Sequence, residues 1–412
     1  MANDATLASP EHATRSSDRH AGDPGANGAS AMKVICDRGS LLDAVNLVAS
    51  VVAQRTPRPQ LTCIKLSARK DDAGEGTLVL AATDAEISMR MSTRDVEVQT
   101  PGETLVPADK LRQIISAEDA EATLTLESEG DTTHIRGRDA YFKVYGYPPA
   151  DFPDIPSPDA APAFTITADT LDRLISRTVF STARENSRYA INGVLVRRDG
   201  KKLEFVATDG RRLAVARASA DDAPDGEASC IIPTKALATA RKLIAQASAR
   251  VSIAITDSQA IFTFDDGEDA ETSTTLASNL VEGSFPPYED VIPKDQDKRA
   301  TFEIDALGSA VRRAALLTNE ESRGVRLAFS RDDRALKLSS RAPEMGEAEI
   351  NVEIAEYDGD DIEIGFNPAF ITDALKILDN DRVVIEMKAP NKPGLIKSGS
   401  DFVYVVMPVN LQ

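Results

Sequence analysis

One pattern of residues is written three times along this chain, and a repeat of that length constrains the fold more than any composition can. An extended run followed by a helix-like run begins at Met32-Lys-Val-Ile-Cys-Asp leading into Leu41, again at Phe164-Thr-Ile-Thr leading into Leu171, and again at Phe302-Glu-Ile-Asp leading into Leu307. Mid-unit, Leu78-Val-Leu-Ala-Ala-Thr-Asp and Leu203-Glu-Phe-Val-Ala-Thr-Asp are near copies, with Leu336-Lys-Leu-Ser-Ser a degenerate third. A second helix is predicted after Val106-Pro107, after Ile232-Pro233 and after Phe366-Asn367, since Pro and Asn both suit a helix start. Alternating runs then close each unit at Thr123, Val251 and Val383, the period-two signature of half-buried strands. Proline-rich exits at Asp151-Phe-Pro-Asp-Ile-Pro and Ser284-Phe-Pro-Pro-Tyr mark linkers. The expectation is α+β: three domains at 32–155, 160–294 and 298–412, each with two helices against antiparallel sheets. Residues 1–31, rich in Ala, Gly, Asp and Ser, read as a disordered tail preceding them.

Charge divides the molecule by element. The chain of 412 residues carries −19 overall, yet five of the six predicted helices (40–58, 109–117, 171–188, 234–250, 306–323 and 369–378) carry a net positive charge, the last being neutral. At about 100° per residue, Leu171, Leu174, Ile175 and Thr178 form one stripe of the third helix, with Arg173, Arg177 and Arg184 opposite. The fourth has Lys235, Arg241, Lys242 and Arg250 and no acid. Cationic helices on an acidic body make a poor coat for nucleic acid but a good tunnel lining. Contacts to phosphates alone grip without reading sequence.

Other classes lose ground on the same residues. Cys36, Cys63 and Cys230 are odd in number and in no metal-ligand spacing, which points to a reducing, cytoplasmic setting and to no metal or cofactor. No run is apolar for long enough to span a membrane as a helix. Within the three units the only His is His134, no Gly-x-x-x-x-Gly-Lys-[Ser/Thr] phosphate loop occurs, and a catalytic site is not expected. A repeat-built peptide scaffold that never meets DNA would show no such partition of charge.

Five further motifs, in order, carry a resemblance. Arg188-Tyr-Ala-Ile-Asn-Gly-Val-Leu, Ala207-Thr-Asp-Gly-Arg-Arg-Leu-Ala, Glu282-Gly-Ser-Phe-Pro-Pro-Tyr, Asn319-Glu-Glu-Ser-Arg-Gly-Val-Arg-Leu and Tyr404-Val-Val-Met-Pro-Val-Asn-Leu resemble the bacterial sliding clamp, the beta subunit of DNA polymerase III. The resemblance runs from Met32 to the C-terminus. It implies a non-catalytic processivity factor, a head-to-tail homodimer ring of six domains with helices inside, closed around double-stranded DNA. Implied partners are the polymerase III catalytic subunit, the clamp-loader complex and other proteins bearing clamp-binding peptides.

It further implies a peptide pocket between the second and third domains, built from Ile191, Thr208, Gly210, Arg211, Arg212, Leu213, Pro286, Val291, Asn367, Phe370, Val405, Val406, Met407, Pro408, Val409 and Leu411. Residues facing DNA would be Arg55, Arg173, Arg177, Arg184, Arg188, Tyr189, Lys235 and Arg241. Asp290, Ser322, Asn410 and Gln412 depart from the family pattern at the pocket rim. Ala190 departs from it among the DNA-facing positions.

Overall fold

The computed structural model describes residues 31–155, 160–183, 190–244, 250–265, 273–318 and 324–410. One order of elements runs through it three times. The first passage is β1 (Lys33–Asp37), α1 (Arg38–Val48), β2 (Cys63–Lys70), β3 (Gly76–Thr83), β4 (Ile87–Thr93), β5 (Val96–Thr100), β6 (Gly102–Pro107), α2 (Ala108–Ala117), β7 (Thr123–Glu129), β8 (Thr132–Arg136) and β9 (Tyr141–Tyr145). The second is β10 (Phe164–Thr167), α3 (Ala168–Val179), β11 (Gly193–Asp199), β12 (Lys202–Thr208), β13 (Arg212–Ser219), β14 (Glu227–Pro233), α4 (Thr234–Ile244), β15 (Arg250–Ile255), β16 (Gln259–Asp265) and β17 (Ser273–Asn279). The third is β18 (Lys298–Glu303), α5 (Ile304–Ala314), β19 (Val325–Ser330), β20 (Ala335–Ala342), β21 (Gly346–Glu353), β22 (Glu356–Asp358), β23 (Ile362–Phe366), α6 (Pro368–Leu375), β24 (Arg382–Met387), β25 (Gly394–Ser398) and β26 (Phe402–Val406).

Local chemistry sets the helix starts. Asp37 caps α1 by accepting from the Ser40 N–H at 2.8 Å, Thr167 caps α3 through Thr170, and Asn367 caps α6 through the Ala369 N–H at 3.0 Å. Each satisfies an amide that the helix itself leaves without a partner. Pro107 and Pro233 directly precede α2 and α4. Helix α3 is shorter than its charge pattern suggests, ending at Val179, and Arg250 opens strand β15 instead of closing a helix. Within the observed bounds only α2, α4 and α5 keep a net positive charge; α1 and α3 balance, and α6 has Asp373 alone.

The helices pair as α1 with α2, α3 with α4 and α5 with α6, each pair lying on strands of its own passage. Leu171, Leu174, Ile175 and Thr178 of α3 are buried against β12 and β13, as their common stripe requires. Each such Leu or Ile contributes about 1.5–3 kcal/mol by leaving water.

Four antiparallel sheets result, and two of them cross from one passage to the next. In the eight-stranded sheet β4 pairs with β17, Met89 opposite Leu276; in the nine-stranded sheet β13 pairs with β26, Ala214 opposite Tyr404. By element order β4, β13 and β21 are one strand in three copies, and β9, β17 and β26 are another. Two of the three possible pairings between these sets are therefore made within the chain. The remaining strands, β9 and β21, lie at the edges of the five-stranded and four-stranded sheets. The segment after each last strand covers another edge in all three copies: Tyr147 N–H donates to Leu105 O, Val281 to Ile231 O and Val409 to Gly365 O.

Candidate functional site: a seam groove and a cationic helix face

At the β13–β26 seam Arg212 lies opposite Val406 and Leu213 opposite Val405, and the Met407 N–H donates to the Arg211 carbonyl at 2.9 Å. The turn before β13 is held by Thr208, whose hydroxyl donates to Arg212 O at 2.6 Å and accepts from the Gly210 N–H at 3.1 Å. Gly210 has φ +85°, a conformation that suits a residue without Cβ. Facing this turn is the start of α6, with Asn367 as its cap and Phe370 one turn in.

Arg212 ties the two sides together. Its Nε donates to Asp209 at 2.9 Å, one terminal nitrogen to Asp373 on α6 at 2.9 Å and the other to the Phe180 carbonyl at 2.8 Å, and the guanidinium centre lies 4.5 Å from the Phe370 ring centroid. Burial alone would lower its pKa; the neighbouring Tyr404, Asp373 and Asp209 raise it instead. Tyr404 is itself fully buried, its hydroxyl donating to Phe370 O at 3.0 Å, and burial pushes its phenol well above the ordinary value.

With its donors spent inside the protein, Arg212 stiffens the groove floor, a role the sequence pattern does not distinguish from direct contact. Asp209, Asp373 and Phe180 were equally invisible as its partners, because they come from three separate elements.

Met407, Pro408 and Val409 line a depression of about 550 Å³ together with Arg326, Ile364 and Asn391. Met407 is 39% exposed, an apolar side chain offered to solvent. Ile191 is buried. Pro286 lines a different depression of about 870 Å³, beside Leu195, Ile231 and Tyr288, and the two depressions share no lining residue. Val291 is exposed on a short 3-10 turn, Glu289–Val291. Leu411 lies outside the described residues.

Arg173 and Arg55 are exposed. Lys235 is exposed but ion-paired with Asp84 in the β3–β4 turn, and Arg241 is half-exposed and held in a two-pronged pair by Asp172 of α3, at 2.6 and 3.2 Å. Burial would raise the Asp84 pKa; hydrogen bonds from Lys235 and the Ile87 and Glu86 amides hold it below the usual carboxylate range.

Arg177 is a correction. Its side chain is 6% exposed, it donates to Asp401 at 2.8 Å, and its guanidinium lies 5.7 Å from the Phe402 ring centroid. A helical wheel counts only the faces that one domain uses. The flank bearing Arg177 is covered by the β25–β26 turn of the next.

Arg184, Arg188 and Tyr189 lie outside the described residues. Lys242 on α4 is exposed too, and exposed helix cations not named above are Lys110 and Arg112 on α2 and Arg312 and Arg313 on α5. Adjacent arginines late in α5 were legible in the sequence as cations. Their exposure depended on where the apolar stripe fell.

Comparisons with known proteins converge on one family. Models of the N-terminal, central and C-terminal domains of the DNA polymerase III beta subunit match residues 32–156, 165–287 and 289–410. The beta sliding clamp of Escherichia coli K12 is 33% identical and that of Pseudomonas aeruginosa 32%, over 92% of this chain and all of each relative. The crystal structure of the Pseudomonas aeruginosa clamp bound to griselimycin superposes with a TM-score of 0.84 at 31% identity, and that of the Bacillus subtilis clamp with 0.85 at 26%, each over 92% of this chain and all of the other.

Proposed function

The chain belongs to the DNA polymerase III beta-subunit family, and on that premise we infer that it is a replication processivity factor, a non-catalytic ring that encircles duplex DNA and tethers the polymerase. The observation that carries this reading is the pair of sheet edges left over. Two copies arranged head to tail would add β9 of one to β21 of the other at each junction, repeating in trans the β4–β17 and β13–β26 pairings made within the chain.

Both edges have the character of an interface. Tyr141 and Tyr145 on β9 are 53% and 73% exposed, and Leu316 and Met345 beside β21 are 75% and 61% exposed. Glu347, Glu349 and Glu353 on β21 would meet Arg136 and Lys143 on β8 and β9. A long edge of this kind left open would invite aggregation.

Six copies of one domain would then present six helix pairs to the hole. Exposed Arg173, Lys242, Arg312 and Arg313, with Lys110 and Arg112, supply cations for phosphates without any base-reading element, so the grip is salt-sensitive and free to slide. A clamp loader would open the ring, and its setting would be the cytoplasm. No helix among the described residues is long and apolar enough to cross a membrane.

Partners would dock by short peptides at the β13–β26 seam, with Thr208, Gly210, Leu213, Phe370 and Met407 to Val409 receiving a Leu or Phe anchor and Arg212 holding the floor. A fluorescent peptide carrying such anchors is expected to bind saturably by anisotropy. Truncation after Val406 is expected to weaken it at least about tenfold, since each lost apolar contact costs about 1.5 kcal/mol or more. Equal affinity for the truncated chain would contradict this location.

A further inference from the structure

Apart from the buried Arg177, the α3–α4 pair carries four cations, and these have two different fates. Arg173 and Lys242 are exposed and have no acidic partner among the described residues. Arg241 and Lys235 also reach solvent, their side chains 41% and 56% exposed, but each is held by a carboxylate. Asp172 of α3 grips Arg241 of α4 in a two-point pair, Nε to Oδ1 at 2.6 Å and Nη2 to Oδ2 at 3.2 Å. Asp84, from the preceding domain, holds Lys235 while its other oxygen accepts the Glu86 and Ile87 amides at 2.9 and 2.8 Å.

A phosphate must compete with these acids. The geometry that suits a guanidinium to a phosphate is the one a carboxylate already uses. A cation held by an acid within the protein neutralises phosphate less fully, so it releases fewer of the counterions condensed on the duplex and adds little to binding.

We propose that Asp172 and Asp84 are attenuators of the DNA grip: they hold Arg241 and Lys235 back from the phosphates, so that the lining carries fewer effective cations than its sequence encodes. This rests on the reading of α3 and α4 as DNA-facing. A ring made tight by topology gains nothing from a strong local hold, and each phosphate contact made is one that must break at every step along the duplex. The acids keep the helices charged enough to centre the duplex and weak enough to let it pass.

Asp172 is the better target, because its partner lies in the same domain and Asp84 also braces the seam. The dissociation constant of the full-length protein for a short duplex, too short to be encircled stably, is measured by anisotropy across about 20–200 mM salt for wild type, Asp172→Asn, Arg173→Ala and Lys242→Ala. Asp172→Asn is expected to tighten binding several-fold at the lowest salt and to steepen the salt slope by about one unit per freed cation, about two per ring. Arg173→Ala and Lys242→Ala are expected to weaken binding and flatten the slope.

Flattening in the two alanine variants with no change in Asp172→Asn would overturn attenuation and leave the DNA-facing reading standing. No change in any of the three would remove that reading and the inference with it. Adding Arg241→Ala to Asp172→Asn separates a freed cation from a general loss of negative charge: the gain must vanish in the double variant, and a gain that persists overturns the proposal.

Discussion

Leu316→Glu is expected to leave the protein monomeric at concentrations where the wild type is a dimer. Leu316 is in the 3-10 turn Ala315–Leu317, packed on β20 and β21, and its side chain stands 75% exposed at the end of the unpaired edge. In the ring proposed above, that side chain would be buried against the β9 edge of the second copy. A carboxylate there must be desolvated without a partner, in a region already bearing Glu347 and Glu349. A cost of about 3 kcal/mol per junction corresponds to more than about 100-fold in affinity, and a head-to-tail dimer has two junctions. Sedimentation velocity would show a single species near the chain mass of 44.2 kDa. Leu316→Met should remain dimeric, and an unaltered dimer in Leu316→Glu would remove β21 from the interface.

Arg177→Ala should loosen the seam between the second and third domains and lower the stability of the folded chain by about 2–3 kcal/mol. The loss combines a charge-assisted hydrogen bond to Asp401 with the packing of a long buried stem on Phe402. Asp401 is itself 42% exposed, so water screens part of the ion pair and the electrostatic share is the smaller one. Arg177→Met keeps much of the stem and should recover part of the loss. Arg173→Ala, one turn earlier on the exposed face, should change the thermal midpoint by little. Calorimetry of the three variants checks the order, and an Arg177→Ala melt equal to that of Arg173→Ala would show that the buried pair contributes nothing.

These two residues mark where sequence reading succeeds and where it stops. Period and pattern are local properties, so the three passages, the proline and asparagine helix starts and the apolar stripe of α3 were all visible in the residues. The pairing of β4 with β17 was not, because alternation tells which face of a strand is buried and nothing about which strand lies beside it. The burial of Arg177 and the partners of Arg212 were missed for a related reason. Each is a cation on a surface that one domain leaves open and its neighbour closes, and the acids that receive them, Asp401 and Asp373, stand more than 150 residues away in the chain.

Charge counting overreached at the helix ends. Arg250 belongs to a strand, and Arg241 and Lys235, assigned to the DNA-facing set, are each held by an acid. The resemblance supplied the seam pocket as a set of residues. What it could not supply was the division of labour within that set, in which Met407 is open to solvent while Arg212 is held from below, beside a buried Tyr404 that the set did not include.

Retention on DNA tests the ring most directly. The protein is loaded by a clamp loader onto a nicked circular duplex, washed in high salt to strip contacts that depend on charge, and followed by gel filtration before and after the circle is cut once. A topologically closed ring stays with the circle and leaves promptly through the free ends of the linear form. Equal retention on both, or loss from both in the wash, would contradict the account.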